Sequence, residues 1–436
     1  MGADFGLCGF VWFLVSVLCW AVLLVVLVYV VTAFVLPSSR ALYGVYAVPG
    51  RWFLLKYLCM RLALWLALRK TPHCGRRRRC PAVRRLHEDE MRGLDVHAAI
   101  GDSPHGHNSF YVNGSDESGA TRLVARVAVR PNGRRDVWFL LRLPDLGDLV
   151  LPQHPHCVID HVTGDGFSGG GLDCSVIEPL RKWKITYDGP CRVGIRSTWE
   201  EEDTRPTVHV RCTFLWHQET PVYDFAVDVH PKLAAFNIAK EKWTGDFFQN
   251  LKSIKQRHFE QFGTIEGAIR VDDQELREVT LVGVKDRSEG PRRWLDMRSY
   301  ILNFIVLDNG TFLHVGAFCF PGVLSSLTSG FVIQESGEII PAVSVDLPLA
   351  DLMEKHPVPP TTFAFRMQPE VGPSLDVEVA IDDVMYFNMD SDWTVQIREG
   401  LSKFKVNGVN GVGICEILRR YEGECPVTAA QLDKST

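Results

Sequence analysis

From Phe110 onward the chain repeats one pattern, a run of alternating apolar and polar residues followed by a tight-turn signal. Alternation at period two belongs to half-buried strands, and short turns between runs join them antiparallel. Leu123–Val129 and Val137–Leu143 flank Pro131-Asn132-Gly133, while Phe304–Leu307 and Thr311–Phe318 flank Asp308-Asn309-Gly310. His258–Val271 is predicted to pair with Glu275–Val284 across Asp272-Asp273-Gln274, and Val208–Trp216 and Tyr223–Val229 read as further strands. Pro231–Arg257 departs from the pattern, with Leu233, Phe236, Ile238, Trp243, Phe247, Leu251 and Ile254 at helical spacing, interrupted near Gly245. Strands on both sides of one helix predict two β-rich units, each a barrel or sandwich. The lack of βαβ alternation disfavours a nucleotide-binding parallel sheet.

The N-terminal region follows a different logic. Phe5–Ser39 carries no charge, and Leu7–Leu36 exceeds the roughly 20 apolar residues that cross a bilayer. It starts acidic and runs too long for a cleaved signal peptide, so an N-terminal transmembrane helix is expected. Twelve of the 47 basic residues fall between Pro37 and His87, a stretch without an acid. The positive-inside rule then predicts a single-pass protein, N-terminus outside and body cytosolic, on the endoplasmic reticulum or another endomembrane. The cysteines, twelve in all and without framework spacing, agree with reduced thiols. On that placement the sequons at Asn113 and Asn309 stay unmodified. Arg51–Lys70 reads as an interfacial amphipathic helix, with Trp52 and Trp65 in the acyl boundary and Lys56 and Arg61 snorkelling; a second span would bury both cations. Arg76, Arg77, Arg78 and Arg79 would lie near anionic headgroups, or serve topology alone. The body beyond them is net acidic, which makes the bilayer the expected partner and nucleic acid a poor one.

Two local motifs carry little. Gly164-Asp165-Gly166-Phe167-Ser168-Gly169 matches the dinucleotide fingerprint, but no helical pattern follows to hold a pyrophosphate. His154, His156, Cys157, Asp160 and His161 cluster without an established zinc spacing. No metal and no cofactor are expected.

His258-Phe259-Glu260-Gln261, Gly263, Gly267, Gly283 and the run Lys285-Asp286-Arg287-Ser288-Glu289-Gly290-Pro291-Arg292-Arg293-Trp294 together form a recognisable pattern. With support from Ser109–Gly114, Pro179–Gly189 and Gly411–Glu416, the chain resembles the carotenoid 1,2-hydratase (hydroxyneurosporene synthase)-like superfamily over about residues 100–425. Within it the chain looks most similar to uncharacterised animal proteins and to the N-terminal region of animal phosphoenolpyruvate synthase-like proteins. The resemblance implies a mainly β fold, two lipocalin-like β-barrels in tandem. Taken with the N-terminal and helical readings above, the chain divides into a transmembrane anchor (1–40), a basic juxtamembrane segment (41–99), a first β-domain (100–230), a connecting helix (231–257), a second β-domain (258–425) and a tail (426–436).

Where the family pattern has Arg-Asp-His-Ser-Trp-Gly, this chain has Lys285-Asp286-Arg287-Ser288-Glu289-Gly290. Hydrating an isolated alkene needs a proton donor, and Asp286 fits if burial raises its pKa; Arg287 cannot replace a histidine, because its proton is not released near neutrality. Arg287, Arg293, Trp294, His258, Glu260 and His314 are expected to orient a ligand, or Asp286, Arg287, Glu289 and Arg293 to pair as a structural cluster. Three readings follow. The first is a membrane-anchored protein that binds an apolar lipid or isoprenoid in or between its barrels. The second is a cofactor-independent hydratase, isomerase or cyclase with Asp286 as the acid. The third is an inactive interaction scaffold, which barrels filled with Phe and Trp would favour.

Overall fold

A computed structural model describes residues 15–28, 31, 41–70, 89–93, 95–96, 100, 102–164, 166–195, 203–253, 256–356, 358–389 and 394–421. Helix α1 (Phe53–Lys70) precedes ten strands: β1 (Gly106–Ser115), β2 (Arg122–Val129), β3 (Arg135–Leu143), β4 (Gly147–Val150), β5 (Val158–Ile159), β6 (Phe167–Gly169), β7 (Leu172–Glu178), β8 (Lys182–Val193), β9 (Thr207–Gln218) and β10 (Tyr223–Asp224). Helices α2 (Pro231–Lys240) and α3 (Gly245–Ser253) follow, then the long hairpin β11 (Arg257–Val271) and β12 (Arg277–Pro291). The remaining strands are β13 (Ser299–Leu307), β14 (Phe312–Phe320), β15 (Leu324–Ile333), β16 (Ile339–Asp346), β17 (Thr362–Pro369), β18 (Leu375–Asn388), β19 (Val395–Val406) and β20 (Val409–Arg420), with helix α4 (Leu349–Glu354) between β16 and β17.

Strands β13 to β20 pair in sequence order and close on themselves as an eight-stranded up-and-down barrel. The first twelve strands form one sheet, and eight of them trace a second closed circuit: β1-β2-β3-β4-β8-β9-β11-β12 and back to β1. Full closure leaves no open edge in either ring. The first ring curls tightly where Gly263, Gly283 and Gly114 stand side by side. A Cβ on Gly283 would come within 2.0 Å of the Asn113 carbonyl oxygen, so only glycine lets these strands approach.

The domain boundary expected from sequence is displaced. Residues 257–291, assigned above to the second unit, complete the first ring through their pairing with β9 and β1. Residues 231–257 therefore do not connect two barrels. They are an excursion from the first barrel: α2 packs on β15 and β16 of the second and on α1, and the chain then returns. The passage between barrels is the short stretch around the 3-10 turn Trp294–Asp296. Of the predicted strand Tyr223–Val229, only Tyr223–Asp224 pairs.

Each barrel has its own apolar core, and a third core lies between them. This third core joins Tyr111, Trp138 and Phe262 of the first barrel to Tyr300, Phe304, Phe331 and Phe387 of the second. Trp138 stacks on Phe387 with centroids 4.6 Å apart, and Tyr223 on Phe331 at 3.9 Å.

Helix α1 docks on the body through Lys56, whose Nζ donates to the Glu241 carbonyl at 2.8 Å, and through Phe53, edge-on to Phe236. Lys56 is thus buried in protein, where snorkelling into headgroups had been expected. Leu54, Leu58, Leu62, Trp65 and Leu66 are exposed, while Trp52 is half-buried under Arg51. Half of the predicted span Leu7–Leu36 lies outside the described residues, as do Arg76, Arg77, Arg78 and Arg79; residues 15–28 are helical with exposed side chains. Among the described residues no helix is long and apolar enough to cross a membrane.

Candidate functional site in the interbarrel cleft

Strand period decides which side chains meet. Adjacent residues on a strand point to opposite faces, while register partners on neighbouring strands share one. Across β11, β12, β1, β2 and β3 the register aligns Glu260, Asp286, Tyr111, Arg126 and Trp138 in a single row. This row lies on the outside of the first barrel and faces the second. Opposite it, β13 and β14 supply Tyr300 and His314, and the register partners Glu399 and Glu416 come from β19 and β20.

A chain of four titratable groups crosses the cleft. Asp286 Oδ1 lies 3.5 Å from His258 Nδ1, His258 Nε2 lies 2.9 Å from Glu260 Oε1, and Glu260 Oε2 lies 2.9 Å from His314 Nδ1. Burial alone would raise Glu260, but His314 and His258 outweigh it and hold the carboxylate at about 2. An ionised carboxylate only accepts, so His258 Nε2–H donates to it and Nδ1 is left facing Asp286. Burial pulls His258 down, yet Asp286 and Glu260 together raise it. Burial raises Asp286 despite the neighbouring His258. Asp286 and His258 are also where the cluster meets solvent, their side chains 15% and 24% exposed.

The second barrel adds a pair of carboxyls. Tyr111 donates to Glu399 Oε2 at 3.1 Å, Tyr300 donates to Glu416, and Glu399 and Glu416 hydrogen-bond each other. Burial, then the Glu416 charge, pushes Glu399 well above the carboxylate range; burial likewise raises Glu416. Two buried carboxyls in contact cannot both ionise, so this side of the cleft stores protons. Above them Trp294 is ringed by the guanidiniums of Arg126, Arg292 and Arg130 at 5.5, 5.4 and 5.8 Å. Buried polar atoms without a protein hydrogen-bond partner gather here: Asp286 Oδ1, His314 Nε2, Glu399 Oε1, Arg126 Nη1 and Nη2, Arg292 Nε and Trp294 Nε1.

Four of the expected site residues, Asp286, His258, Glu260 and His314, come together, and Trp294 joins them through the arginines. Arg287 does not. One position along β12, it points into the first barrel beside Lys285, over the Phe167 ring at 4.3 Å, with Asn108 Oδ1 at 2.9 Å. There Asp95, from the helical stretch 95–96, receives Lys285 Nζ at 2.9 Å and the Trp183 indole N–H at 2.9 Å. The proposed pairing of Asp286, Arg287, Glu289 and Arg293 thus fails on strand geometry. Arg293 is half-exposed, 3.7 Å from Asp296. Sequence reasoning missed Tyr111, Arg126, Arg292, Tyr300, Glu399 and Glu416.

Among the described residues the first barrel offers no open chamber. It is filled by Phe110, Phe139, Phe167, Trp183, Tyr187, Phe214 and Trp216, all buried. Cavities of about 120 Å³ beside Tyr46 and about 10 Å³ beside Asn108 fall short of the roughly 300–1,000 Å³ of small-molecule pockets. The apolar guest expected inside a barrel has no room in the first. His258, Glu260 and Asp286 could each bring a ligand atom within 4.8 Å of the others. The two carboxylates, however, address different ring nitrogens of His258, which suits proton relay and not convergence on one ion. Phe167–Gly169 enter a β-hairpin, not a helix, which leaves the glycine pattern without a phosphate site.

Among solved structures the chain is similar to kievitone hydratase from Nectria haematococca, with 11% identity, a TM-score of 0.44, and 75% of this chain and 97% of that one covered. It is also similar to CghA, with 10% identity, a TM-score of 0.43, and 74% and 90% covered. No curated protein matches the chain. The profile described as "Family of unknown function (DUF8627)" matches residues 17–418, and the chain belongs to that family.

Proposed function

We propose that the interbarrel cleft is the active site of a cofactor-independent enzyme that delivers a proton to an unsaturated small molecule, as a hydratase or isomerase does. The observation that carries this reading is the Asp286–His258–Glu260–His314 chain, drawn from both barrels and reached by solvent at its Asp286 end. A carboxyl with a raised pKa is a competent general acid near neutrality, and a histidine oriented by a carboxylate is a competent base. In a hydration, Asp286 gives its proton to one alkene carbon and a water oxygen bonds to the other. His258 takes the proton that water loses and returns it to Asp286, so nothing else is consumed. The resemblance of the 285–294 run to hydratase-like proteins supports the same chemistry.

The test is incubation of the full chain with a cell lipid and metabolite extract in D2O, read by mass spectrometry for species that gain deuterium. Asp286→Asn is expected to cut that gain at least about 100-fold, the usual scale of general-acid loss, with the melting temperature little changed. Unaltered labelling in the variant removes Asp286 from the mechanism.

The exposed apolar stripe of α1 supports a second element of this reading, in which the bilayer is the surface on which the body rests. Leu54, Leu58, Leu62 and Trp65 face away from the body and continue the apolar character of residues 15–28.

A further inference from the structure

Resting on the acid–base reading above, we propose that Arg126 and Arg292 form an oxyanion site, and that the substrate is a conjugated carbonyl compound of the α,β-unsaturated carboxylate class, not a plain hydrocarbon. Buried guanidiniums elsewhere in the molecule find oxygen acceptors: Arg130 meets Asp136 at 2.9 Å, Arg142 meets Asp148 at 2.7 Å, and Arg287 meets Asn108 at 2.9 Å. Arg126 does not. It is 3% exposed, its two terminal nitrogens lack a partner, and it lies over Trp138 at 4.6 Å. Arg292 is similar: its Nε has no partner and its Nη2 reaches only the Gln256 side-chain oxygen at 3.3 Å. A buried cation without an acceptor is costly, so Arg126, with the half-buried and only partly satisfied Arg292 beside it, marks a place where an anion belongs.

The carboxyls nearby leave that role open: Asp136 feels the Arg126 charge but is held by Arg130 at 2.9 Å, and Glu399 and Glu416 engage each other and the two tyrosines. Guanidinium forks match a carboxylate in geometry as well as charge, and Trp294 beneath them offers a flat apolar surface for a conjugated system. The chemistry agrees. Protonating an isolated alkene creates a carbocation, which two adjacent guanidiniums would repel. Adding water to an enoate sends negative charge onto the carbonyl oxygen, which they would attract. Asp286, next to Glu260 in the row and separated from Arg126 by Tyr111, then lies on the acidic side of the same cleft.

The experiment compares trans-cinnamate with its uncharged isostere, cinnamamide, on the full chain, by tryptophan-fluorescence titration and thermal shift. Cinnamate is expected to bind at least tenfold more tightly than the amide and to raise the melting temperature. Arg126→Met and Arg292→Met should each erase the preference while the ligand-free protein melts no lower than wild type, since each removes an unpaired charge. If Arg126→Met proves unstable, Arg126→Lys keeps the charge but loses the fork, and should weaken cinnamate severalfold. Equal binding of acid and amide, or a preference that survives both variants, overturns the proposal. Asp286→Asn is expected to retain the cinnamate preference. Normal deuterium transfer in that variant sinks the acid assignment and leaves the oxyanion site standing. Deuterium transfer by a wild type without the preference does the reverse.

Discussion

Glu260 is fully buried, so its charge rests on two imidazoles from different barrels. Its pKa is depressed to about 2 from an ordinary 4.5, which fixes the sign of its pH dependence. The stabilisation is complete above the ordinary value and is lost as pH falls through the folded one. Urea unfolding of Glu260→Gln should show a loss of about 3–5 kcal/mol at neutral pH, the scale for breaking a buried ion pair, and a deficit that narrows between pH 4.5 and 2. A deficit that stays flat over that range would mean Glu260 is neutral when folded. The sequence made part of this cluster legible. His258, Glu260 and Asp286 stand in the run that carries the family resemblance, two positions apart on one strand and adjacent on the next. Arg126 and Glu416 left a fainter mark, each a charge flanked on both sides by apolar residues within its strand, while Glu399 stands beside Arg398 and left none. Such a charge signals a buried site, but the sequence names no partner, because the partner comes from the other barrel.

At the scale of elements, β12 shows why a run of charged residues cannot be read as one cluster. Lys285 and Arg287 enter the first barrel and meet Asp95, while Asp286 between them enters the cleft. Only the pleat separates these two chemistries. Helix α1 makes a similar distinction around its circumference, with Phe53 and Lys56 toward the body and the leucines away. The double variant Leu58→Glu/Leu62→Glu is therefore expected to abolish co-flotation of the chain with vesicles of phosphatidylcholine and phosphatidylserine, with no change in melting temperature. Flotation equal to wild type would remove α1 from membrane contact. Turn chemistry was the most readable feature at this scale. Asn132 and Gly133 both take positive φ, 60° and 71°, as an Asn-Gly hairpin turn requires.

At the scale of the whole molecule, the strand count read from sequence was sound but the division was not. Alternation says that β11 and β12 are strands; it does not say which ring they close, since that depends on contacts with β9 and β1 far away in sequence. The observed pairing predicts that a fragment spanning residues 292–421, refolded with a mild detergent over its bared aromatic face, closes as a monomeric β-barrel. A fragment spanning 258–421 should aggregate, because its extra hairpin carries two unpaired edges. Size-exclusion chromatography of both fragments separates the outcomes, and a monodisperse longer fragment would contradict the pairing.

The core shared by the two barrels limits how anything reaches the cleft. Parting them would strip the cover from Tyr300, Phe304, Phe331 and a stack of further rings at once. The pair thus travels as one body, and traffic with solvent is left to the margin where His258 and Asp286 are partly uncovered.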